Sequence, residues 1–255
     1  MSKGVLVDVT RCVGCGSCAV ACKLYNGLEW KAGTPIISGK AALAAETWTD
    51  VERHIVEHEA GTAWRFVKTQ CFHCLDPACA SACFVSAFKR TPEGPVVYNE
   101  DICVGCRYCM LACPFSIPKY EWDRQFPRVR KCQMCFSRIE EGQVPACVAA
   151  CPTEAIKFGK RSELLEEAHR RIKADPSKYI DHVYGETEVG GTSWLYISDV
   201  PFKDLGFRTD VTHRGVPQYT WDVLKWTPHI AIGWTAVLTA LYVYTKRRSE
   251  NEDDH

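Results

Sequence analysis

The sequence predicts an α+β fold: two small repeated cysteine-rich modules, an inserted β-hairpin and a single C-terminal transmembrane helix. Three observations support this prediction, namely the regular grouping of the cysteines, an internal repeat around them and one long apolar stretch near the end of the chain. The cysteines form four groups of four: Cys12, Cys15, Cys18, Cys22; Cys71, Cys74, Cys79, Cys83; Cys103, Cys106, Cys109, Cys113; and Cys132, Cys135, Cys147, Cys151. Grouping of this regularity indicates metal ligands.

The first and third groups share the spacing C-x2-C-x2-C-x3-C, which is the spacing of two-cluster ferredoxins. Three thiolates with two residues between them let one tight loop hold three iron corners of a cubane, and the fourth thiolate reaches the neighbouring cube. Glycines such as Gly14 suit this wrapping, because the backbone must turn sharply beside the sulfurs. The longer gaps, between Cys74 and Cys79 and between Cys135 and Cys147, are expected to be loops. The four groups therefore predict four [4Fe-4S] clusters.

Other uses of cysteine fit this pattern less well. A disulfide framework is typical of a short secreted chain with an apolar leader, whereas this sequence begins Met1-Ser2-Lys3. A zinc ribbon uses four ligands in a tetrahedral site and has no use for a third and a fourth thiolate in the same run. Buried structural thiols would not show the periodicity. Iron and sulfide are therefore the expected partners of these cysteines.

The charge of the chain is balanced, with 31 basic and 31 acidic residues, so the composition indicates neither a nucleic-acid partner nor an acidic substrate. Several basic residues lie near the cysteines in the sequence: Arg107, Lys119, Arg128, Arg130, Lys131 and Arg138. A cluster held by four thiolates is anionic, so nearby cations can raise its reduction potential. Ordinary solvated surface charges are the alternative interpretation.

An internal repeat relates two of the cysteine loops, because residues 8–15 resemble residues 99–106. Each unit is predicted to contain a short strand, a cluster loop, a short helix and a return strand. The strands are expected at 5–7, 96–98 and 155–158. The repeat predicts two ferredoxin-like modules.

The predicted organisation follows from the repeat and from the segments between the groups. The boundaries are 1–23 with 114–180 for the module that carries clusters one and four, 24–70 for an insertion with a β-hairpin, 71–113 for the module that carries clusters two and three, 181–225 for a connector, 226–246 for the transmembrane helix and 247–255 for a polar tail.

Within the insertion, residues 48–57 and 64–70 are predicted to be the strands of the hairpin. His54, Glu57 and His58 match the H-x-x-E-H pattern of some zinc peptidases. That pattern requires a helix, since on a strand the two histidines would lie about 13 Å apart and could not share a metal ion. A solvated strand face is therefore the preferred interpretation, and a zinc hydrolase is a minor alternative.

After the last cysteine group, Ser162 can cap a helix that ends at Pro176. Its apolar face consists of Leu164, Leu165, Ala168 and Ile172. This helix is expected to cover the module of clusters one and four. A strand is expected at 194–197, and the chain from 199 to 228 is expected to be extended.

The long apolar stretch near the end, residues 229–245, contains no Lys, Arg, Asp or Glu. Counting from Trp226 gives about 30 Å of helix, enough to cross a bilayer. Trp226 and the basic run 246–248 flank the stretch as membrane-interface residues do. A membrane-spanning helix is therefore predicted, and a buried core helix is the alternative.

Further motifs accompany the cysteine groups: Cys113-Pro114, Cys151-Pro152, Val183-Tyr184-Gly185-Glu186, Gly190-Gly191-Thr192 and Val200-Pro201-Phe202. With these motifs the chain resembles, over nearly its whole length, the four-cluster iron-sulfur beta subunits of membrane-bound respiratory oxidoreductases. The formate dehydrogenase N type and the quinone-reducing uptake hydrogenase type are the most similar. The resemblance is specific for the type of subunit and much less specific for the fuel.

The resemblance implies that each module exchanges one cysteine between its two clusters. The implied ligands are Cys12, Cys15, Cys18 and Cys151 for cluster one; Cys71, Cys74, Cys79 and Cys113 for cluster two; Cys103, Cys106, Cys109 and Cys83 for cluster three; and Cys132, Cys135, Cys147 and Cys22 for cluster four. It further implies a large catalytic subunit, dependent on molybdenum, tungsten or a nickel-iron centre, and a multi-span membrane subunit. The latter would be a cytochrome b or a haem-free quinone-reactive protein. Cluster one is expected to face the catalytic partner and cluster four the membrane.

The function implied is electron transfer between these two partners. Catalysis by the chain itself is not expected, because clusters with four thiolates have no open iron position and no nucleophile or acid–base set accompanies them. A stand-alone, membrane-tethered polyferredoxin is the alternative. The cysteine-rich part is expected in the periplasm, with a cytoplasmic location left open, and the C-terminal helix is expected to anchor it.

Overall fold

The computed structural model describes residues 2–31, 33, 35–40, 42–58 and 61–253. The chain divides into two units, Met1–Val216 and Pro217–His255. The strands are β1 (Lys3–Asp8), β2 (Asp50–His58), β3 (Gly61–Thr69), β4 (Phe88–Arg90), β5 (Val96–Tyr98), β6 (Lys119–Tyr120), β7 (Val129–Arg130), β8 (Ile156–Lys160) and β9 (Trp194–Ile197). The helices are α1 (Ser17–Asn26), α2 (Ala78–Ser81), α3 (Tyr108–Ala112), α4 (Phe136–Glu140), α5 (Ala146–Ala149), α6 (Arg161–Ala174), α7 (Val216–Leu224) and α8 (Thr227–Asp253).

Strand β1 is the centre of a three-stranded sheet with the order β8-β1-β9. It pairs antiparallel with β8 and parallel with β9, so that Val5 lies opposite both Phe158 and Trp194. The apolar run of β1 suits a central strand that is buried on both faces. On one face, Leu164 and Ala168 of α6 pack against the sheet, as the predicted covering helix requires.

The sequence predicted the strands better than their pairing. The predicted strands 5–7, 96–98 and 194–197 lie within β1, β5 and β9, and β8 begins one residue later than predicted. The parallel pairing of β9 with β1 was not predicted, because it joins segments that are almost two hundred residues apart. It brings part of the predicted connector into the same sheet as the first strand.

An aromatic core lies between this sheet and the cysteine loops. Tyr184 packs against Phe202 and Phe207, with ring centroids 5.2 and 4.7 Å away, and Tyr196 lies 4.9 Å from Phe207. Phe72, next to the first cysteine of group two, contacts both tyrosine rings. These rings hold the second cysteine loop against the sheet.

The predicted hairpin in the insertion is present as β2 and β3, which pair antiparallel from Asp50 with Thr69 to His58 with Gly61. It buries Val56 and Val67 on one face and Val51 on the other. Strand β3 begins three residues before the predicted position 64, because pairing continues to the turn. The predicted turn residues 59 and 60 lie outside the described residues. Two shorter hairpins are β4-β5, between the second and third cysteine groups, and β6-β7, between the third and fourth.

Two details of the predicted helices differ. The N-cap of α6 is Lys160 and no side chain caps the helix, so the prediction of a Ser162 cap is wrong. Lys160 instead pairs with Glu163 in the first turn, Nζ to Oε1 2.6 Å. The chain after 199 is not extended throughout, because Val216–Leu224 forms helix α7.

Residues 226–246 lie mostly in helix α8, but the predicted transmembrane helix is wrong. Of the helices in the described part of the chain, none combines the length and the apolar character that a membrane crossing requires. Threonine, tyrosine and tryptophan interrupt the aliphatic residues of α8, which continues into the charged segment after 245. The membrane-anchored location that was predicted from this helix is wrong with it.

Candidate metal centres

The loops of the first and third cysteine groups have the same backbone conformation. Gly14 and Gly105 have φ angles of 69° and 70°, and Gly16 and Arg107 have 71° and 64°. Gly16 and Arg107 are also the N-caps of α1 and α3. Two left-handed residues therefore turn each loop before its helix, and the internal repeat of the sequence is also a repeat of local structure.

Helices carry the third cysteine of each group, and these helices pack in pairs. Helix α1 holds Cys18 and Cys22 and packs against α5, which holds Cys147. Helix α2, which holds Cys79, packs against α3, which holds Cys109. Groups one and four therefore meet in one place, and groups two and three meet in another.

Cys12, Cys15, Cys18 and Cys151 line one small cavity. Burial raises the pKa of Cys12, and charge on Cys151 and Cys15 raises it further. Burial also raises the pKa of Cys18 to about 12. The last cysteine of group four thus lies with the first three of group one.

Cys22 lies among the cysteines of group four. Burial raises the pKa of Cys135 to about 11, and charge on Cys147 and Cys22 contributes to the increase. Burial likewise raises the pKa of Cys132 well above its usual value, with contributions from Cys22 and Cys147. The fourth cysteine of group one is therefore a neighbour of the first three of group four.

Groups two and three are related in the same way, with one cysteine of each group lying among the cysteines of the other. Burial raises the pKa of Cys74 well above its usual value, and charge on Cys71, Cys113 and Cys79 adds to the effect. Cys113, the fourth cysteine of group three, is therefore close to the first three of group two.

The last set of cysteines surrounds Cys109. Burial raises the pKa of Cys109 to about 12, and Cys103, Cys106 and Cys83 raise it further. The backbone N–H of Ala87 donates to Cys83 Sγ at 3.2 Å. Cys83 of group two thus lies with the first three cysteines of group three.

Comparison with known proteins relates this arrangement to a family. A domain described as "4Fe-4S dicluster domain" matches residues 62–161. A protein of Nitratidesulfovibrio vulgaris (strain Hildenborough) is 44% identical, over 98% of this chain and 68% of the relative. The hydrogenase-2 operon protein HybA of Escherichia coli O157:H7 is 33% identical, over 100% of this chain and 88% of its own length. The nitrate-inducible formate dehydrogenase iron-sulfur subunit of Escherichia coli (strain K12) is also 33% identical, over 98% and 88%.

The chain belongs to the family of hydrogenase and formate dehydrogenase iron-sulfur subunits. The resemblance drawn from the cysteine groups and their accompanying motifs is therefore confirmed. The matched dicluster domain includes all the cysteines of the second, third and fourth groups.

The residues of this iron-sulfur subunit fit [4Fe-4S] clusters. Such clusters require sulfur ligands, and cysteines from two groups lie together at each place. Backbone N–H groups point at several of the sulfurs: Gly105 donates to Cys103 Sγ at 3.4 Å and Met134 donates to Cys132 Sγ at 3.3 Å. Such hydrogen bonds stabilise thiolate charge. Because iron binds thiolates, loading must release the protons that burial holds on these thiols.

The zinc alternative does not fit the positions of its residues. His54 and Glu57 lie on strand β2, where a helix would be needed to bring H-x-x-E-H around one ion. His54 Nε2 instead lies 3.6 Å from Glu52 Oε2. Within the described part of the chain, no three His, Cys, Asp or Glu side chains are arranged to hold a single metal ion.

The sequence analysis missed the buried charged and polar side chains of this iron-sulfur subunit. Lys68 and His73 were not singled out, and Lys131 was noted only as one of several nearby cations. All three are buried. Burial lowers the pKa of His73 well below its usual value, and the charges of Lys131 and Lys68 lower it further. Lys68 lies on strand β3 in the insertion, far in sequence from Cys22 and Cys132, whose pKa its charge lowers, so no local pattern could have related it to those cysteines.

Proposed function

We propose that this chain relays electrons through four [4Fe-4S] clusters, between a catalytic subunit of the formate dehydrogenase or hydrogenase type and a membrane subunit that reacts with quinone. The observation that supports this most strongly is the arrangement of the cysteines into four sets, each drawn from two groups. The names of the relatives, as hydrogenase and formate dehydrogenase proteins, support the choice of catalytic partner.

The proposed ligands are those implied by the family resemblance. They are Cys12, Cys15, Cys18 and Cys151 (set one) for cluster one; Cys71, Cys74, Cys79 and Cys113 (set two) for cluster two; Cys83, Cys103, Cys106 and Cys109 (set three) for cluster three; and Cys22, Cys132, Cys135 and Cys147 (set four) for cluster four. Each cluster would supply reversible one-electron transfer. The role of the chain is to bind the clusters, exclude water from them and hold them close together.

Electrostatic interactions between cysteines of different sets support one spatial order of the clusters. Charge on Cys147 reaches Cys18, which relates set four to set one. Charge on Cys71 reaches Cys132, which relates set two to set four. Charge on Cys109 reaches Cys79, which relates set three to set two. The proposed order is therefore one, four, two, three.

This order changes one expectation from the sequence, that cluster four faces the membrane. In the proposed order cluster four lies inside the series, so clusters one and three are the two ends at which electrons enter and leave. Exposed residues at both ends support docking there. Val13 is 60% exposed beside cluster one, where Cys15 is also exposed, and Val104 is 61% exposed beside cluster three.

Gentle anaerobic purification from the native organism tests the proposed partners. We expect a large catalytic chain in equal amount, together with molybdenum, tungsten or nickel, and a membrane protein in the same complex. Isolation of this chain alone, with its iron intact under several mild conditions, would favour a stand-alone polyferredoxin and contradict the proposal.

A further inference from the structure

Lys68 is a buried cation that is not one of the proposed cluster ligands. It lies near the end of β3 and is 1% exposed. Its Nζ donates to Gln70 Oε1 at 2.7 Å and to Thr49 Oγ1 at 3.4 Å, and it lies 4.4 Å from the centre of the Trp194 ring. These partners are neutral, so they satisfy the hydrogen bonds of the ammonium group without cancelling its charge.

The surroundings of Lys68 contain cysteines from two sets. Lys68 lines the cavity formed by the four cysteines of set one. Its charge also acts on set four, where it lowers the pKa of Cys22 and of Cys132 against the larger effect of burial. Burial lowers the pKa of Lys68 itself, and the thiolates of Cys147, Cys18, Cys132 and Cys22 together raise it. The ammonium group therefore lies beside set one and within electrostatic reach of set four.

A buried charge is costly unless an opposite charge compensates it. A cubane with four thiolates is anionic, so clusters at these two sets would provide the compensation that the neutral partners of Lys68 do not. Reduction adds one more negative charge to a cluster. A fixed positive charge stabilises the reduced form more than the oxidised form, and the low dielectric of the interior strengthens the effect.

We propose that Lys68 is a shared buried cation that raises the reduction potentials of clusters one and four. The inference rests on the proposed function, because it requires clusters at both sets. Lys68 binds no iron. Its role is to make these two adjacent clusters better electron acceptors than their thiolates and burial alone would allow.

Redox titration of the purified complex, followed by low-temperature EPR, tests this role. In Lys68→Met, we expect the reduction equilibria of clusters one and four to shift at least tenfold towards the oxidised form, which is about 59 mV for a one-electron couple. Clusters two and three are expected to keep their potentials. Lys68→Arg retains the charge, so we expect it to shift the reduction equilibria of clusters one and four by less than tenfold. The same is expected of the surface control Lys160→Met. Signals are assigned with Cys15→Ala for cluster one and Cys135→Ala for cluster four.

Several outcomes would overturn the inference. Unchanged potentials in Lys68→Met, or an equal shift of all four clusters, would show that the charge does not act selectively. If the methionine variant fails to assemble clusters, Lys68→Gln decides, since its amide retains polarity without charge. Loss of clusters in both neutral variants but not in Lys68→Arg would assign the lysine to assembly and overturn a tuning role. A wild-type complex without four cluster signals would instead refute the proposed function, which separates the two failures.

Discussion

At the scale of single residues, the backbone conformation around a cysteine is as important for cluster binding as the cysteine itself. Gly14 shows this, because it combines a left-handed φ of 69° with close approach to the hairpin. A Cβ atom at Gly14 would lie 2.5 Å from Cε1 of Phe66. The sequence pointed to this glycine as a turn residue, but contact with Phe66 depends on the fold of the insertion and could not be predicted.

Substitution of Gly14 by alanine is therefore expected to impair cluster one. The left-handed conformation costs a non-glycine residue about 1–2 kcal/mol, and the clash with Phe66 adds to that cost. We expect lower iron content and loss of one EPR signal in the purified protein. Gly27→Ala is the matched control, because Gly27 also has a positive φ, of 59°, but nothing lies within 4 Å of an added Cβ. Equal iron contents in the two variants would contradict the expected clash.

Exchange of ligands between groups can be tested at Cys22. Although Cys22 belongs to the first cysteine group, its neighbours are the cysteines of set four. We expect Cys22→Ala to lose or alter the same EPR signal as Cys135→Ala, because both remove a ligand of cluster four. Cys15→Ala, in the same sequence group as Cys22, should affect a different signal. If Cys22→Ala and Cys15→Ala affect the same signal, the exchange is wrong.

At the scale of helices and strands, prediction succeeded where the signal is local. The apolar run of β1 and the β-branched and aromatic residues of β5 and β9 were sufficient to predict strands. The cap of α6 was mispredicted because Ser162 lies inside the helix, and α7 was missed because the whole segment 199–228 was predicted to be an extended connector. The pairing of β9 with β1 depends on tertiary contacts, so the sequence alone did not reveal it.

The covering role of α6 makes a stability prediction. Leu164 is buried against Leu6, Leu195 and Ile197, so Leu164→Ala should cost about 2–5 kcal/mol of unfolding free energy. Leu165, which is only partly buried, provides the matched control. Thermal unfolding of the holoprotein followed by circular dichroism should show a clearly lower midpoint for Leu164→Ala than for Leu165→Ala. Equal midpoints would mean that α6 does not contribute to the core as described.

At the scale of the whole molecule, the fold joins distant parts of the chain at the cysteine sets. Cys12 meets Cys151, and Cys22 meets Cys132, over more than a hundred residues in each case. The ligand sets come from family resemblance and spacing and stay a prediction, and the proposed order differs from the sequence expectation that cluster four faces the membrane. The order depends on how the two modules pack, which no motif encodes. The predicted membrane anchor is wrong because threonine, tyrosine and tryptophan interrupt the aliphatic residues of α8, so the helix is less apolar than a membrane crossing requires.

Iron content and cluster count together give the most direct test of the central claim. The account predicts about sixteen iron atoms and sixteen acid-labile sulfides per chain in anaerobically purified protein. It also predicts four separate [4Fe-4S] signals when the protein is reduced stepwise and measured by Mössbauer and EPR spectroscopy. Full occupancy by zinc, or a reproducible iron content near eight with only two cluster signals, would contradict it.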